Sequence, residues 1–143
     1  MIKADIKKKD LYIKLSTLTD SGLGLFTSKP ISKGTLIVEY TGKISTWKDA
    51  ENRDGNNGYL YYVTRNHVID ARRRKKALAR YANDARGLSR HPGLKNNAEY
   101  AEIGKQVFIK ATRDIAAGSE ILVPYGKEYW DIIRYNRKLD DKK

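Results

Sequence analysis

The amino-acid sequence predicts one compact domain of the mainly β class (β+α), built from several short strands and few short helices. Three observations support this prediction. Most apolar runs are short and rich in β-branched or aromatic residues, and glycine-containing turns separate them. The length of 143 residues is that of a single domain, and a hydrophobic content of 40% is enough for one core. We expect the core of this domain to span about residues 11–130.

Six segments have the pattern of short strands. Residues 11–15 alternate apolar and polar side chains, whereas residues 36–38 are apolar and partly β-branched. Glycine-containing turns are predicted between strands at residues 32–34, 54–58 and 117–119. The predicted strands are residues 11–15, 36–40, 59–63, 68–69, 107–109 and 121–123.

Two segments show the apolar spacing of helices. Residues 75–83 carry Leu78 and Tyr81 three positions apart, and residues 128–139 carry Trp130 and Ile133 in the same relation. We expect a helix in each segment. The charged end of the chain, within residues 128–143, is expected to fray after the second helix.

The net charge and the amino-acid content limit the function classes. Lysine and arginine number 29 against 17 acidic residues, and the net charge of +12 favours acidic partners. With no cysteine and only two histidines, we expect neither disulfides nor a metal cofactor. The N-terminus lacks the apolar segment of a signal peptide, and no run has the length of a membrane span. We therefore expect a cytoplasmic protein, with nucleoid association or delivery into a host cell as alternatives.

The first motif is Gly22-Leu23-Gly24, which leads into Leu25-Phe26. Two glycines one residue apart let the backbone approach a ligand closely. An isolated pair of this kind is more often a turn between two strands. The motif is followed by Ile31-Ser32-Lys33-Gly34 and then by Glu39-Tyr40-Thr41-Gly42.

Two further motifs follow in order along the chain. Ala79-Arg80-Tyr81-Ala82-Asn83 lies near the middle, and Glu120-Ile121-Leu122-Val123-Pro124-Tyr125-Gly126 lies toward the C-terminus. Tyr59-Leu60-Tyr61 and Val68-Ile69-Asp70-Ala71 lie between the first two motifs. Taken together in this order, the segments resemble the sequence marks of the SET domain family. The resemblance covers roughly residues 11–130, and its specificity comes from the ordered series.

The resemblance implies a fold, a reaction and a cofactor. The fold would be the SET-type β-clip, with several short curved sheets. The reaction would be the transfer of a methyl group from S-adenosylmethionine to a protein lysine, which leaves S-adenosylhomocysteine and needs no metal. The short chain is similar to minimal stand-alone SET proteins of bacteria and large viruses.

The resemblance also implies a role for individual residues. Tyr125 and Tyr40 would be catalytic, and Tyr100 and Val123 would line the lysine channel. As alternatives, Tyr125 is a packed turn residue, Tyr40 a half-buried strand aromatic, and Trp130 a core anchor. The residues that would contact the cofactor are Gly22, Leu23, Gly24, Leu25, Tyr59, Arg80, Asn83, Asp84 and Trp130.

The sequence departs from the family pattern after Asn83. The family usually has histidine next, whereas this chain has Asp84, and Ala85-Arg86-Gly87-Leu88 replaces the usual S-C-x-P-N. The segment is similar to the R-Y-x-N-x-A-R of PR-type members, which also lack the histidine. A carboxylate at position 84 either accepts hydrogen bonds from the amino groups of the cofactor or weakens its binding.

Tyrosines suit the chemistry that the resemblance implies. The lysine must be neutral to attack the methyl group, although its pKa near 10.4 keeps it protonated at neutral pH. An aromatic channel disfavours the ammonium form by desolvation, and hydroxyls orient the lone pair of the amine. In the family, either a tyrosine hydroxyl or an apolar side chain beside the lysine nitrogen sets the number of methyl groups. By this resemblance Val123 fills one such position with an apolar side chain. Tyr100 fills another that is a tyrosine in some mono-methylating members, which favours the addition of a single methyl group.

The run Arg72-Arg73-Arg74-Lys75-Lys76 is the densest positive segment of the chain. Such a run is ordinarily a solvated loop, but it also suits contact with nucleic acid. We expect a protein lysine substrate, on a basic chromosomal or nucleic-acid-associated protein, and a monomer or homodimer. Two other interpretations remain open: an inactive SET-like binding module and a basic nucleic-acid-binding domain.

Overall fold

The computed structural model describes residues 1–18, 21–48, 60–74, 76–85 and 93–125. Most of the regular structure in these ranges is β-strand. Short 3-10 turns lie at Lys8–Asp10 and Leu78–Tyr81, and residues 47–48 are also helical. The predicted mainly β fold is confirmed. The strands are β1 (Leu11–Leu15), β2 (Leu23–Thr27), β3 (Leu36–Glu39), β4 (Lys43–Ser45), β5 (Leu60–Thr64), β6 (His67–Asp70), β7 (Ala98–Ile103) and β8 (Gln106–Ala111).

The strands pair into three small antiparallel sheets. One contains β1 and β2, the second has the order β3-β8-β7, and the third has the order β4-β6-β5. In the second sheet, β7 and β8 form a hairpin around Gly104, whose φ is +63°. The described part of the chain contains no helix that is long and apolar enough to cross a membrane.

Five of the six predicted strands are confirmed, with small shifts at their ends, as β1, β3, β5, β6 and β8. Three strands were not predicted, because their sequences lack the usual pattern. The glycine at position 24 weakens the strand signal of β2, and alanine and glutamate dominate β7. The third, β4, is only three residues long.

Two other predictions need correction. Residues 121–123 form an extended segment with an isolated bridge at Leu122 instead of a strand. Of the described residues 76–83 of the helix predicted at 75–83, only Leu78–Tyr81 is helical. The helical turn ends because Ala82 is extended and the carbonyl of Asn83 accepts a hydrogen bond from Val123. The predicted helix at 128–139 and the turn at 54–58 lie outside the described residues.

The hydrophobic core lies beneath the extended segment 120–125. Side chains from β2, β3 and β8 join two side chains of this segment in one buried cluster. Burying each aliphatic side chain stabilises the fold by about 1.5–3 kcal/mol. Apart from Ala71, its fully buried aliphatic members are Leu25, Ile37, Val107, Ile109, Ile121 and Val123.

Gly42, between β3 and β4, packs directly against the backbone of the third sheet. A Cβ atom at this position would lie 2.3 Å from the carbonyl oxygen of Asp70 and 2.8 Å from the amide nitrogen of Ala71. Backbone atoms cannot move aside as the end of a flexible side chain can. We expect Gly42→Ala to lower the free energy of unfolding by about 1–3 kcal/mol, measured by urea denaturation.

Gly104→Asn is the matched control for this substitution. A Cβ at position 104 would meet no atom within 4 Å, and asparagine tolerates the left-handed conformation of that turn. Its loss of stability is expected to be clearly the smaller of the two. Equal losses would show that the contact at Gly42 does not limit the fold.

Candidate active site

The extended segment 120–125 brings the three motifs together. The amide of Ile121 donates to the carbonyl of Leu25 in β2 at 2.7 Å, and the amide of Val123 donates to the carbonyl of Asn83 at 2.8 Å. Leu122 also forms a parallel bridge with Asn83. Segments that are far apart in the sequence therefore share one hydrogen-bonded layer.

Asn97 fixes the same segment from another side. Its side-chain amide donates to the carbonyl of Glu120 at 2.9 Å, and its side-chain oxygen accepts the amide of Leu122 at 2.9 Å. The backbone amide of Asn97 donates to the carbonyl of Leu122 at 3.0 Å. One asparagine thus supplies the hydrogen bonds that a neighbouring strand would otherwise make.

The carboxylate of Glu120 lies in the interior and is bound by several donors. The side chain of Ser16 and the amide of Thr17 donate to it at 2.7 and 2.9 Å, and the Thr17 hydroxyl donates as well. The side-chain amide of Asn83 donates to Glu120 at 3.3 Å and to the carbonyl of Leu23 at 3.0 Å. Glu120 opens the third motif but was not predicted as a site residue, although an acid before an apolar run is a visible signal.

Glu120 also explains the second glycine of the Gly22-Leu23-Gly24 motif. A Cβ atom at position 24 would lie 2.3 Å from a carboxylate oxygen of Glu120. Gly22 has a positive φ of 67°, and Leu23 is 48% exposed. The Leu25 side chain is buried in the core, and its carbonyl is bound by Ile121. Contact of this backbone with a cofactor stays a prediction.

Four tyrosines, Tyr40, Tyr61, Tyr100 and Tyr125, form what we call the tyrosine cluster. The ring centres of Tyr61 and Tyr100 are 5.1 Å apart, and Tyr40 lies 6.0 Å from each of them. Tyr125 lies nearly parallel to Tyr100 at 6.5 Å. The structure therefore brings together the three tyrosines predicted for the catalytic site and the lysine channel.

Tyr61 was not predicted as a site residue. Tyr59 was selected from the same segment but lies outside the described residues, as does Trp130. Because residues two apart on a strand face the same side, the Tyr59 prediction could have been extended to Tyr61. Val123 is fully buried in the core cluster against which Tyr61, Tyr100 and Tyr125 pack. Its place in a lysine channel stays a prediction.

The hydroxyl of Tyr125 donates a hydrogen bond to the carbonyl of Ala82. Ala82 directly follows the 3-10 turn Leu78–Tyr81 and is extended, with φ −67° and ψ 127°. The C-terminal end of the third motif is thereby joined to the C-terminal part of the second motif. The tyrosine ring bridges the two segments.

The hydroxyl of Tyr61 donates to a carboxylate oxygen of Glu102 at 3.1 Å. Burial, the negative charge of Glu102 and this hydrogen bond together raise the pKa of Tyr61 from 10.0 to about 12. Tyr61 is therefore a neutral hydrogen-bond donor throughout the physiological range. Glu102 lies at the exposed side of the cluster.

Arg80 holds the loop that carries the basic run. Its guanidinium donates to the carbonyls of Ala71 and Arg72, at 2.9 and 2.6 Å, and lies 5.0 Å from the ring centre of Tyr81. Direct contact of Arg80 with a cofactor stays a prediction. In the basic run, Arg72, Arg73, Arg74 and Lys76 are exposed, and Lys75 lies outside the described residues.

Asp84 is nearly buried, with 6% of its surface exposed. One carboxylate oxygen accepts the backbone amide of Tyr125 at 2.9 Å, and the other accepts the side-chain amide of Asn96 at 2.9 Å. The predicted contact of Asp84 with the cofactor is not tested by these bonds. They do place the carboxylate beside the backbone of the predicted catalytic tyrosine.

The SET domain family model matches residues 22–126. The chain belongs to the SET domain family. The match begins at Gly22 and ends at Gly126, so it contains all three motifs and the whole tyrosine cluster. The resemblance stated from the sequence is confirmed.

Curated relatives of this SET domain include the N-lysine methyltransferase KMT5A of Xenopus tropicalis, 29% identical over 128 residues. That alignment covers 82% of this chain and 37% of the relative. An H3 lysine-4 specific histone-lysine N-methyltransferase of Schizosaccharomyces pombe is 29% identical over 126 residues, covering 83% of this chain and 13% of the relative. The chain thus spans well under half the length of these relatives.

Among solved structures, the SET domain is similar to the methyltransferase domain of human PR domain-containing protein 2. The TM-score is 0.61 at 26% identity, and the match covers 84% of this chain and 79% of that one. This likeness agrees with the predicted SET-type fold. The finer similarity to the R-Y-x-N-x-A-R segment of PR-type members stays a prediction.

The pKa of Tyr61 is open to direct measurement. Glu102→Gln is expected to move it from about 12 back toward 10, because the charge and the bond to a carboxylate are lost while burial remains. Titration of 13C-labelled tyrosine by NMR reports this value. The pKa of Tyr61 in the folded protein lies above its ordinary value of 10.0. The contribution of neutral Tyr61 to the free energy of unfolding is therefore complete below pH 10 and is lost as the pH rises toward 12.

Glu99→Gln is the control for this titration. Glu99 is also an exposed acid of β7, but it lies on the opposite face of the strand from Tyr100 and Glu102. We expect it to leave the titration of Tyr61 unchanged. An identical shift in both variants would mean that the general charge of the strand, and not the Glu102 contact, sets the pKa.

Proposed function

We propose that this SET domain transfers a methyl group from S-adenosylmethionine to the side-chain amine of a protein lysine. The observation that carries the proposal is the tyrosine cluster, in which the Tyr125 hydroxyl is held on the Ala82 carbonyl. Both residues belong to motifs of the family, and several similar proteins are named lysine methyltransferases.

The residues of the site fit this cofactor. S-adenosylmethionine, when bound, supplies a methyl group on a positively charged sulfur. Aromatic faces such as those of the tyrosine cluster accommodate a cation without a full counter-charge. The backbone from Gly22 to Leu25 is held in place next to Asn83, since the Asn83 amide bonds both the Leu23 carbonyl and Glu120.

The tyrosine cluster would prepare the lysine for the reaction. Entry among aromatic rings removes water from the amine, which favours the neutral form. Because the Tyr125 hydroxyl gives its single proton to the Ala82 carbonyl, it can only accept a hydrogen bond from the amine. Accepting an N–H bond turns the nitrogen lone pair in a fixed direction. Alignment of this kind is a large part of catalysis when no covalent intermediate forms.

The substrate proposed for this site is a lysine of a basic chromosomal or nucleic-acid-associated protein. A net charge of +12 would repel such a protein, but Glu102 places a carboxylate at the exposed side of the tyrosine cluster. Glu99, the other acid of β7, is also exposed but lies on the opposite face of the strand. The exposed Arg72, Arg73, Arg74 and Lys76 offer a separate contact for nucleic acid bound to the same substrate.

Tyr125→Phe tests the proposed reaction. Radiolabelled S-adenosylmethionine is supplied with a panel of histones and ribosomal proteins, and labelled lysines are located by mass spectrometry. We expect the wild-type chain to label lysine and the variant to lose about 10²-fold in kcat, since the hydroxyl that orients the amine is removed. The mass spectra also report the number of methyl groups, which we expect to be one.

Tyr62→Phe is the matched control. Tyr62 is 52% exposed and lies outside the tyrosine cluster, with its ring centre 5.7 Å from that of Trp47. Loss of its hydroxyl should therefore leave kcat unchanged. Cofactor binding without methyl transfer to any protein would refute the proposed methyltransferase activity and favour an inactive binding module. No cofactor binding, together with strongly salt-dependent binding to DNA, would favour a nucleic-acid-binding domain.

A further inference from the structure

We propose that Asp84 is a positioning residue that, together with Asn96, fixes Tyr125 for the transfer reaction. This inference rests on the proposed function of the tyrosine cluster. It gives a role to the position at which this chain departs from the histidine usual in the family. The role differs from the cofactor contact that the resemblance implies.

Four groups form what we call the Asp84–Asn96 clamp. The Asp84 carboxylate accepts the backbone amide of Tyr125 through one oxygen and the side-chain amide of Asn96 through the other, each at 2.9 Å. The side-chain oxygen of Asn96 in turn accepts the backbone amide of Ala85 at 2.8 Å. Asn96 is therefore oriented by the backbone amide of Ala85, the residue that follows Asp84, so the hydrogen bonds of the clamp return to the segment from which they start.

The clamp completes the fixation of Tyr125. The amide of Val123 donates to the carbonyl of Asn83, and Pro124 has no amide hydrogen to donate. Tyr125 therefore carries the next available backbone donor, and Asp84 accepts it. At its other end, the Tyr125 hydroxyl donates to Ala82. Three consecutive residues, 82–84, thus hold the backbone and the hydroxyl of one tyrosine segment.

A carboxylate suits this position better than an amide. Both oxygens of Asp84 face N–H donors, so the side chain must accept on both sides. An amide at position 84 would turn an NH2 group toward one of these donors. Because the side chain is only 6% exposed, water cannot readily replace the missing hydrogen bond. The unpaired N–H group would therefore destabilise this arrangement.

The exchange of the two side chains gives a sharp test. Asp84→Asn alone places an amide against an amide, and Asn96→Asp alone places two carboxylates together. In the double variant Asp84→Asn/Asn96→Asp, the new amide at 84 accepts from Tyr125 and donates to the new carboxylate at 96. That carboxylate still accepts the amide of Ala85. Every hydrogen bond of the clamp is then restored, and only the bond between positions 84 and 96 has its donor and acceptor exchanged.

We expect each single variant to lower kcat per folded molecule by about 10-fold and the double variant to return it to within about 3-fold of wild type. The dissociation constant of S-adenosylmethionine, measured by calorimetry, should change little in all three. Melting temperatures separate loss of folded protein from loss of turnover. A change in cofactor affinity with unchanged kcat would overturn the positioning role and make Asp84 a cofactor contact.

Hydrogen exchange of the Tyr125 amide, followed by NMR, tests the clamp in the wild-type chain and does not depend on the stability of any variant. We expect this amide to exchange slowly; exchange as fast as that of an exposed amide would overturn the inference. Unchanged kcat in both single variants, or no recovery in the double variant, would also overturn it. A wild-type chain that transfers no methyl group would refute the proposed function itself, and the positioning role with it.

Discussion

The buried carboxylate of Glu120 is the constraint on which the rest of the site depends. A charge in the interior is tolerated only when several donors surround it, and here Ser16, Thr17 and Asn83 supply them. These donors belong to segments that are distant in the sequence. The position of the Gly22-Leu23-Gly24 motif, the end of the 3-10 turn and the start of the segment 120–125 are therefore fixed together.

The segment 120–125 links the buried Glu120 to the tyrosine cluster. Its middle residues enter the core, its backbone bonds Leu25 and Asn83, and its end carries Tyr125 into the tyrosine cluster. The cluster is lined by hydroxyls and aromatic rings, in a chain whose net charge is +12. Methyl transfer to an amine needs alignment and a neutral nucleophile more than it needs an acid or a base. The mutually contacting rings of the tyrosine cluster would meet that need in the proposed reaction.

The sequence identified tyrosines that the structure brings together, and their roles in the site stay predictions. Tyr40 and Tyr125 lie in the ordered motifs, and Tyr100 was selected through the resemblance to the family. The helix at 75–83 was overpredicted because apolar spacing contains no information on Val123, which binds the carbonyl of Asn83 and requires the chain to be extended. The roles of Glu120 and Asp84 depend on partners 12 to 104 residues away, which local patterns do not reveal.

The most direct test of this account is a crystal structure of the chain with S-adenosylmethionine, because it does not require the protein substrate to be known. We expect the cofactor to lie along Gly22 to Leu25 and Asn83, with its sulfonium methyl group directed at the tyrosine cluster beside Tyr125. A cofactor bound elsewhere, or a methyl group directed away from the cluster, would contradict the assignment of this site as the centre of methyl transfer.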